Sequence, residues 1–331
     1  MKKYISILIA AIMMVSCLSA CGTSTTAEAA GKDKIQIVTT IFPEYDWVKN
    51  ILGDNPAGAE VTMLLDNGVD LHSYQPTADD IMKISTCDMF IYVGGESDEW
   101  VEDALKEATN KNMSVINLLD VLGDSVKEEE VVEGMQGEEE EEGGEEESEE
   151  EEVEYDEHVW LSLKNASALT DAISAELQRI DATNAQTYKA NADAYKTRLN
   201  ELDKKYQDAV SEAPVKTLVF GDRFPFRYLT DDYGISYYAA FVGCSAETEA
   251  SFETITFLAN KVDELSLHAV MTIEGQDHRI AETVVENTSG KDQKILTMDS
   301  MQSTTSKDVE SGTSYYSVME DNLSVLKEAL K

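Results

Sequence analysis

Lys34-Ile35-Gln36-Ile37-Val38-Thr39-Thr40 alternates along its length and is rich in branched side chains, so it reads as a β-strand. Pro43 opens a helix to about Leu52, since proline suits a first helical turn. The unit then repeats. Strands are expected at Glu60–Leu65, Met89–Val93 and Ser114–Leu118, with helices from a Thr77 cap to Ile84 and over Glu96–Thr109. After residue 213 the pattern restarts, with strands at Thr217–Phe220, Ser236–Ala240, Ala269–Ile273 and Lys294–Thr297. Helices fall at Pro225–Asp231, Ser251–Glu264, Asp277–Glu286 and about Ser314–Leu330. Strand and helix in alternation imply parallel sheets covered on both faces.

Two segments interrupt the alternation. In Glu128–Glu157, 19 of 30 residues are Asp or Glu, and four glycines break the run. Such a stretch repels itself and has no core to bury, so it is expected to be a disordered loop. Asn165 to Ala213 carries apolar residues at helical spacing without proline or glycine. One helix of that length spans roughly 70 Å; the cap-type residues Asp181, Thr183 and Asn184 allow a break. The expected fold is α/β: two α/β lobes with parallel sheets, residues 34–164 and 214–331, joined by one long backbone helix over 165–213.

Lys2 and Lys3 followed by the apolar run Ile7–Val15 read as a secretory signal peptide over residues 1–20, too short for a stable membrane span. Leu18-Ser19-Ala20-Cys21-Gly22 resembles the lipobox of bacterial lipoproteins, with Cys21 as the acylated residue and 21–33 as its tether. The expected location is the extracytoplasmic face of the cell membrane. A net charge of −39 argues against a nucleic-acid partner. Cys87 and Cys244 are read as isolated thiols, and with no CxxC pair a thiolate zinc cluster is not expected.

The chain holds four histidines: His72, His158, His268 and His278. Neutral imidazole is a common zinc ligand, and carboxylates often accompany it. His72 lies in Asp70-Leu71-His72-Ser73-Tyr74-Gln75-Pro76, just past a strand's carboxyl end, where open α/β sheets bind ligands. His158 lies in Tyr155-Asp156-Glu157-His158-Val159-Trp160-Leu161. Local sequence leaves each balanced between a metal ligand and an ordinary surface residue.

Together the two segments resemble the histidine motifs of cluster A-I solute-binding proteins, which serve zinc and manganese importers of the ATP-binding cassette type. His72, Tyr74 and Pro76 match the first motif, with Leu71 in place of a proline. Asp156, His158 and Trp160 match the second, with Glu157 in place of a proline. Thr313–Ser317 and Asn322-Leu323 resemble the closing helix. The resemblance covers essentially the mature chain. It implies two lobes with a metal held between them, release to a permease and no catalysis.

Phe226, Tyr228, Tyr233 and Gly234 fit the spacing around the family's third ligand, but Arg223 occupies the ligand position. A guanidinium has no lone pair for a metal. Glu274 is the favoured replacement, or alternatively an ion-pair partner of Arg223; Asp222 is a second candidate. Asp299 matches the family's last ligand, and His278 is a reserve. The implied ligand set is therefore His72, His158, Glu274 and Asp299, with Arg223, Asp222 and His278 behind them. Two imidazoles tilt the choice to zinc, while manganese remains open if both carboxylates bind. The acidic loop, which lacks histidine, is either a loose cation collector or a solvated spacer. The expected partners are a metal permease of the ATP-binding cassette type and membrane lipid, with the protein monomeric. A lipid-anchored zinc hydrolase and an adhesin are the competing readings. The first lacks HExxH and GxSxG motifs, and nothing in the sequence argues separately for the second.

Overall fold

The structure is a computed structural model that describes residues 34–136, 154–245, 249–275 and 277–331. The signal peptide, Cys21, the tether and most of the acidic loop lie outside the described residues. Among the described residues no helix is long and apolar enough to cross a membrane.

Among the described residues, eight strands form two sheets of four. The N-lobe sheet holds β1 (Gln36–Thr39), β2 (Glu60–Met63), β3 (Met89–Tyr92) and β4 (Ser114–Asn117) in the order β2-β1-β3-β4. The C-lobe sheet holds β5 (Thr217–Phe224), β6 (Ser236–Val242), β7 (Ala269–Ile273) and β8 (Lys294–Met298) in the order β6-β5-β7-β8. Every pairing within them is parallel. All strand carboxyl ends within a lobe therefore share one edge, and there the connecting loops gather.

Helices cover the sheets: α1 (Phe42–Leu52), α2 (Ala78–Thr86), α3 (Trp100–Lys106) and α4 (Leu118–Leu122) belong to the N-lobe. Thr77 caps α2 as its sequence indicates, its hydroxyl accepting from the Asp80 N–H at 3.2 Å.

The expected 165–213 helix is two helices, α5 (Leu163–Ile180) and α6 (Ala185–Glu212), packed against each other. Asp181 makes the break. Its carboxylate accepts from the Asn184 amide at 2.6 Å and the Tyr188 hydroxyl at 2.9 Å, which fixes the turn. Leu163, Ala166, Leu169, Ile173 and Leu177 form the buried stripe of α5; Tyr188, Ala192, Tyr195, Leu199, Leu202, Tyr206 and Val210 form that of α6. Each buried leucine there contributes about 1.5–3 kcal/mol. Folding back lets the two stripes bury each other, which one straight helix cannot do.

The remaining helices are α7 (Arg227–Tyr233), α8 (Phe252–Glu264), α9 (Arg279–Asn287), α10 (Ser306–Glu310) and α11 (Tyr315–Ala329). One apolar cluster runs from the N-lobe sheet through α5, α6 and α11 into the C-lobe. A smaller one packs the C-lobe sheet against α8 and α9.

The flanks of the acidic loop are ordered, contrary to the expectation for 128–157. Glu128 bridges Tyr155, and Glu129 donates its N–H to the Glu154 carbonyl at 2.9 Å. The leading flank then crosses to the C-lobe. Arg227 pairs with Glu130 at 2.6 Å, Met135 is buried, and Gln136 donates its N–H to the Ala240 carbonyl on β6 at 2.9 Å. These residues find partners on the folded body, which composition alone does not reveal.

Candidate metal centre

His72 sits on a single 3-10 turn, Leu71–Ser73, that follows β2. Asp70 caps that turn, accepting from the His72 N–H at 3.1 Å. His158 precedes a second such turn, Val159–Leu161, which is fully buried. This turn is anchored from the other lobe: the Trp160 indole donates to the Ser300 carbonyl at 2.8 Å, and the Tyr315 hydroxyl donates to the Trp160 carbonyl at 2.6 Å.

The two imidazoles meet with Nε2 to Nε2 at 3.2 Å. Their other nitrogens are already engaged. His72 Nδ1 lies 2.7 Å from Ser97 Oγ and 3.5 Å from Glu157 Oε2, while His158 Nδ1 lies 3.1 Å from Asp156 Oδ1. Acceptors behind Nδ1 leave the Nε2 lone pairs facing a common point. Burial, and then His158, push His72 well below its ordinary value of 6.5. Burial also pulls His158 down, but Asp156 and Glu157 outweigh it and leave His158 raised.

Two glycines make room for this arrangement. Gly95, at φ +80°, follows β3, and a Cβ there would lie 2.4 Å from Glu157 Oε1. Gly243 follows β6, and a Cβ there would lie 2.8 Å from the His158 ring. The turn after β6 can therefore press on His158 and bring Cys244 with it. His72, His158 and Cys244 offer donor atoms all within 4.8 Å of one another. Burial first, then Glu157, Asp156 and Glu129, push the Cys244 thiol well up. A cavity of about 190 Å³ opens beside them, lined by His72, Ser97, Glu129, Glu154, Glu157 and Cys244 among others.

The other expected residues are placed differently. Glu274 is not in the three-residue group. Its oxygens accept from the Ser300 N–H at 2.7 Å, the Ser300 hydroxyl at 2.6 Å and the Gln302 N–H at 3.2 Å. Burial and then Asp299 raise its pKa. Asp299 is also outside the group and accepts from the Met301 N–H at 2.7 Å. Both carboxylates shape the turn after β8. Arg223 pairs with Asp70 at 2.7 Å rather than with Glu274, and reaches the Ser245 carbonyl at 3.4 Å. Asp222 accepts from the Thr272 hydroxyl at 2.5 Å, which in turn lies 3.1 Å from His278 Nδ1, so these three tie β5 to β7. Cys244, read from the sequence as an isolated thiol, stands within this three-residue group. Its place just past the expected β6 strand was the available signal.

Two α/β lobes with ligand-type side chains meeting between them define the class of two-lobed solute-binding proteins. Within that class the chain belongs to the family described as zinc-uptake complex component A, periplasmic, which matches residues 37–329. The high-affinity zinc uptake system protein ZnuA of Bacillus subtilis (strain 168) is 29% identical over 315 residues, covering 95% of this chain and 93% of the relative. The zinc-binding lipoprotein AdcA of Streptococcus pneumoniae (strain ATCC BAA-255 / R6) is 32% identical over 329 residues, covering 99% of this chain. This chain spans 61% of the length of that relative. The crystal structure of the Zn(II)-bound ZnuA-like domain of Streptococcus pneumoniae AdcA superposes with a TM-score of 0.69 at 29% identity, covering 90% of this chain and 99% of that one.

Proposed function

We propose that this protein captures a divalent transition metal outside the cytoplasm, zinc in preference to manganese, and hands it to an ATP-driven metal permease. The His72–His158 pair carries the reading. Zinc bound tetrahedrally at 2.0–2.1 Å holds two nitrogens about 3.3 Å apart, and the two Nε2 atoms already stand 3.2 Å apart. Little rearrangement is needed to receive the ion. Glu157 Oε2, 3.5 Å from His72 Nδ1, and Gln302 also face His72, so the pair sits in a polar, acidic surround suited to a cation.

The zinc-binding and zinc-uptake names of the relatives support the metal and the partner. The lipobox-like Leu18–Cys21 supports anchoring through an acylated Cys21 at the outer face of the membrane. The role is binding and release, with no bond made or broken in a substrate.

Calorimetric titration of zinc and of manganese tests this. One tight zinc site, lost in both His72→Ala and His158→Ala, is expected. Tight one-site zinc binding that survives both substitutions would overturn the reading.

A further inference from the structure

We propose that Cys244 supplies a third metal ligand as a thiolate, giving a two-histidine, one-cysteine donor set in which sulfur takes over the position Arg223 cannot fill. This rests on the zinc-capture reading above and deepens it.

Three observations converge. The sulfur belongs to the only compact group of three metal-donor side chains found among the described residues. It sits at the carboxyl end of β6, on the C-lobe side, opposite two histidines from the N-lobe. And its turn is held in place from both sides. Gly243 lets the backbone press against the His158 ring, and Arg223 links Asp70, which caps the His72 turn, to the carbonyl of Ser245 next to the cysteine. Arg223 is thus a positioning residue: it ties the cysteine turn to the histidine turn. In a tetrahedral zinc site with Zn–S near 2.3 Å, sulfur and nitrogen stand about 3.6 Å apart. The donors here, already within 4.8 Å, need to close by roughly an ångström at most.

The chemistry balances. The Cys244 S–H bond breaks, its proton leaves to buffer, and the sulfur electron pair forms the metal–sulfur bond without redox change. Loss of the thiol proton and formation of the metal–sulfur bond occur together, because the thiolate is the ligand. Sulfur is a soft donor, which suits zinc better than manganese.

Cobalt(II) titrated into the purified protein provides the test, because thiolate ligation to cobalt gives a near-ultraviolet sulfur-to-metal charge-transfer band. The band should be present in the wild type, present in Cys87→Ser and absent in Cys244→Ser. Cys244→Ser should lose more zinc affinity than the roughly 10–100-fold that removal of an outer partner costs. Cys244→Asp should narrow the preference for zinc over manganese. Circular dichroism of each variant checks that it folds, and the wild-type spectrum is decisive without any variant. A wild-type cobalt complex with no sulfur band, in a protein whose binding still requires His72 and His158, overturns the cysteine assignment and leaves the capture reading standing. Binding indifferent to both histidines overturns both.

Discussion

His72 and His158 reach the centre from the N-lobe with their rear nitrogens already held by Ser97, Glu157 and Asp156, whereas the C-lobe offers Cys244 on a turn after β6 and commits Arg223 to Asp70. The N-lobe half is oriented before any ion arrives. The C-lobe half depends on the lobes being latched together. Such a division suits a carrier. Under the proposed function, the imidazole pair receives the ion and Cys244 completes its hold from the opposite lobe.

The sharpest way to break this comparison is to remove a histidine. His158→Ala, the more deeply buried of the pair, is expected to cost zinc affinity beyond the roughly 10–100-fold range of outer partners. A calorimetric trace like that of the wild type would show that the N-lobe half is not the capture site. Next comes the orienting layer. Asp156→Asn and Glu157→Gln should each weaken zinc binding by about 10–100-fold without removing a ligand. If both leave affinity untouched, the N-lobe imidazoles need no orientation and the contrast between the halves disappears.

The latch should matter less. Arg223→Met removes a partly exposed charged pair worth about 1 kcal/mol, and roughly fivefold faster zinc release is expected in stopped-flow chelator competition. Unchanged release would mean that the Asp70–Arg223 pair does not hold the halves together.

The effect most remote from zinc binding concerns the N-lobe frame itself. Burial, reinforced by Asp98, pushes the Glu44 carboxyl up to about 8, against hydrogen bonds from the Ile41 and Thr40 backbone. The folded protein then binds a proton that the unfolded chain releases near 4.5, so stability falls as pH rises from there to about 8 and levels off above. The slope is at most about 1.4 kcal/mol per pH unit for one proton. Glu44→Gln should flatten it in urea melts compared at pH 5 and pH 8. An identical slope in the variant would place the proton elsewhere.

Much of this was legible because it is written locally. Lys34–Thr40 alternates as a strand must, Thr77 caps a helix, and the contexts of His72 and His158 carry the resemblance that led to a metal. The C-lobe half was less legible because its meaning is tertiary. Arg223 signals in sequence only that a ligand is missing. The proposed replacement, Cys244, comes near only because Gly243 packs on His158, an approach between residues far apart in the chain. Glu274 ends a strand as a ligand might, yet the turn at Ser300–Gln302 takes up its oxygens. Composition likewise marked Glu128–Gln136 as unstructured, because the partners that order it, Arg227 and Ala240, come from the other lobe.

That docked segment has a bearing on self-association. β6 is the outermost strand of its sheet, and an outermost strand presents unpaired N–H and C=O groups that can template the addition of a strand from another molecule. Gln136 takes up one of those positions, and the carboxylates of Glu128, Glu129, Glu130 and Glu133 precede it. A second copy approaching this edge meets a seat already taken. The segment that looks like surplus acid in the sequence thereby covers part of the exposed β6 edge.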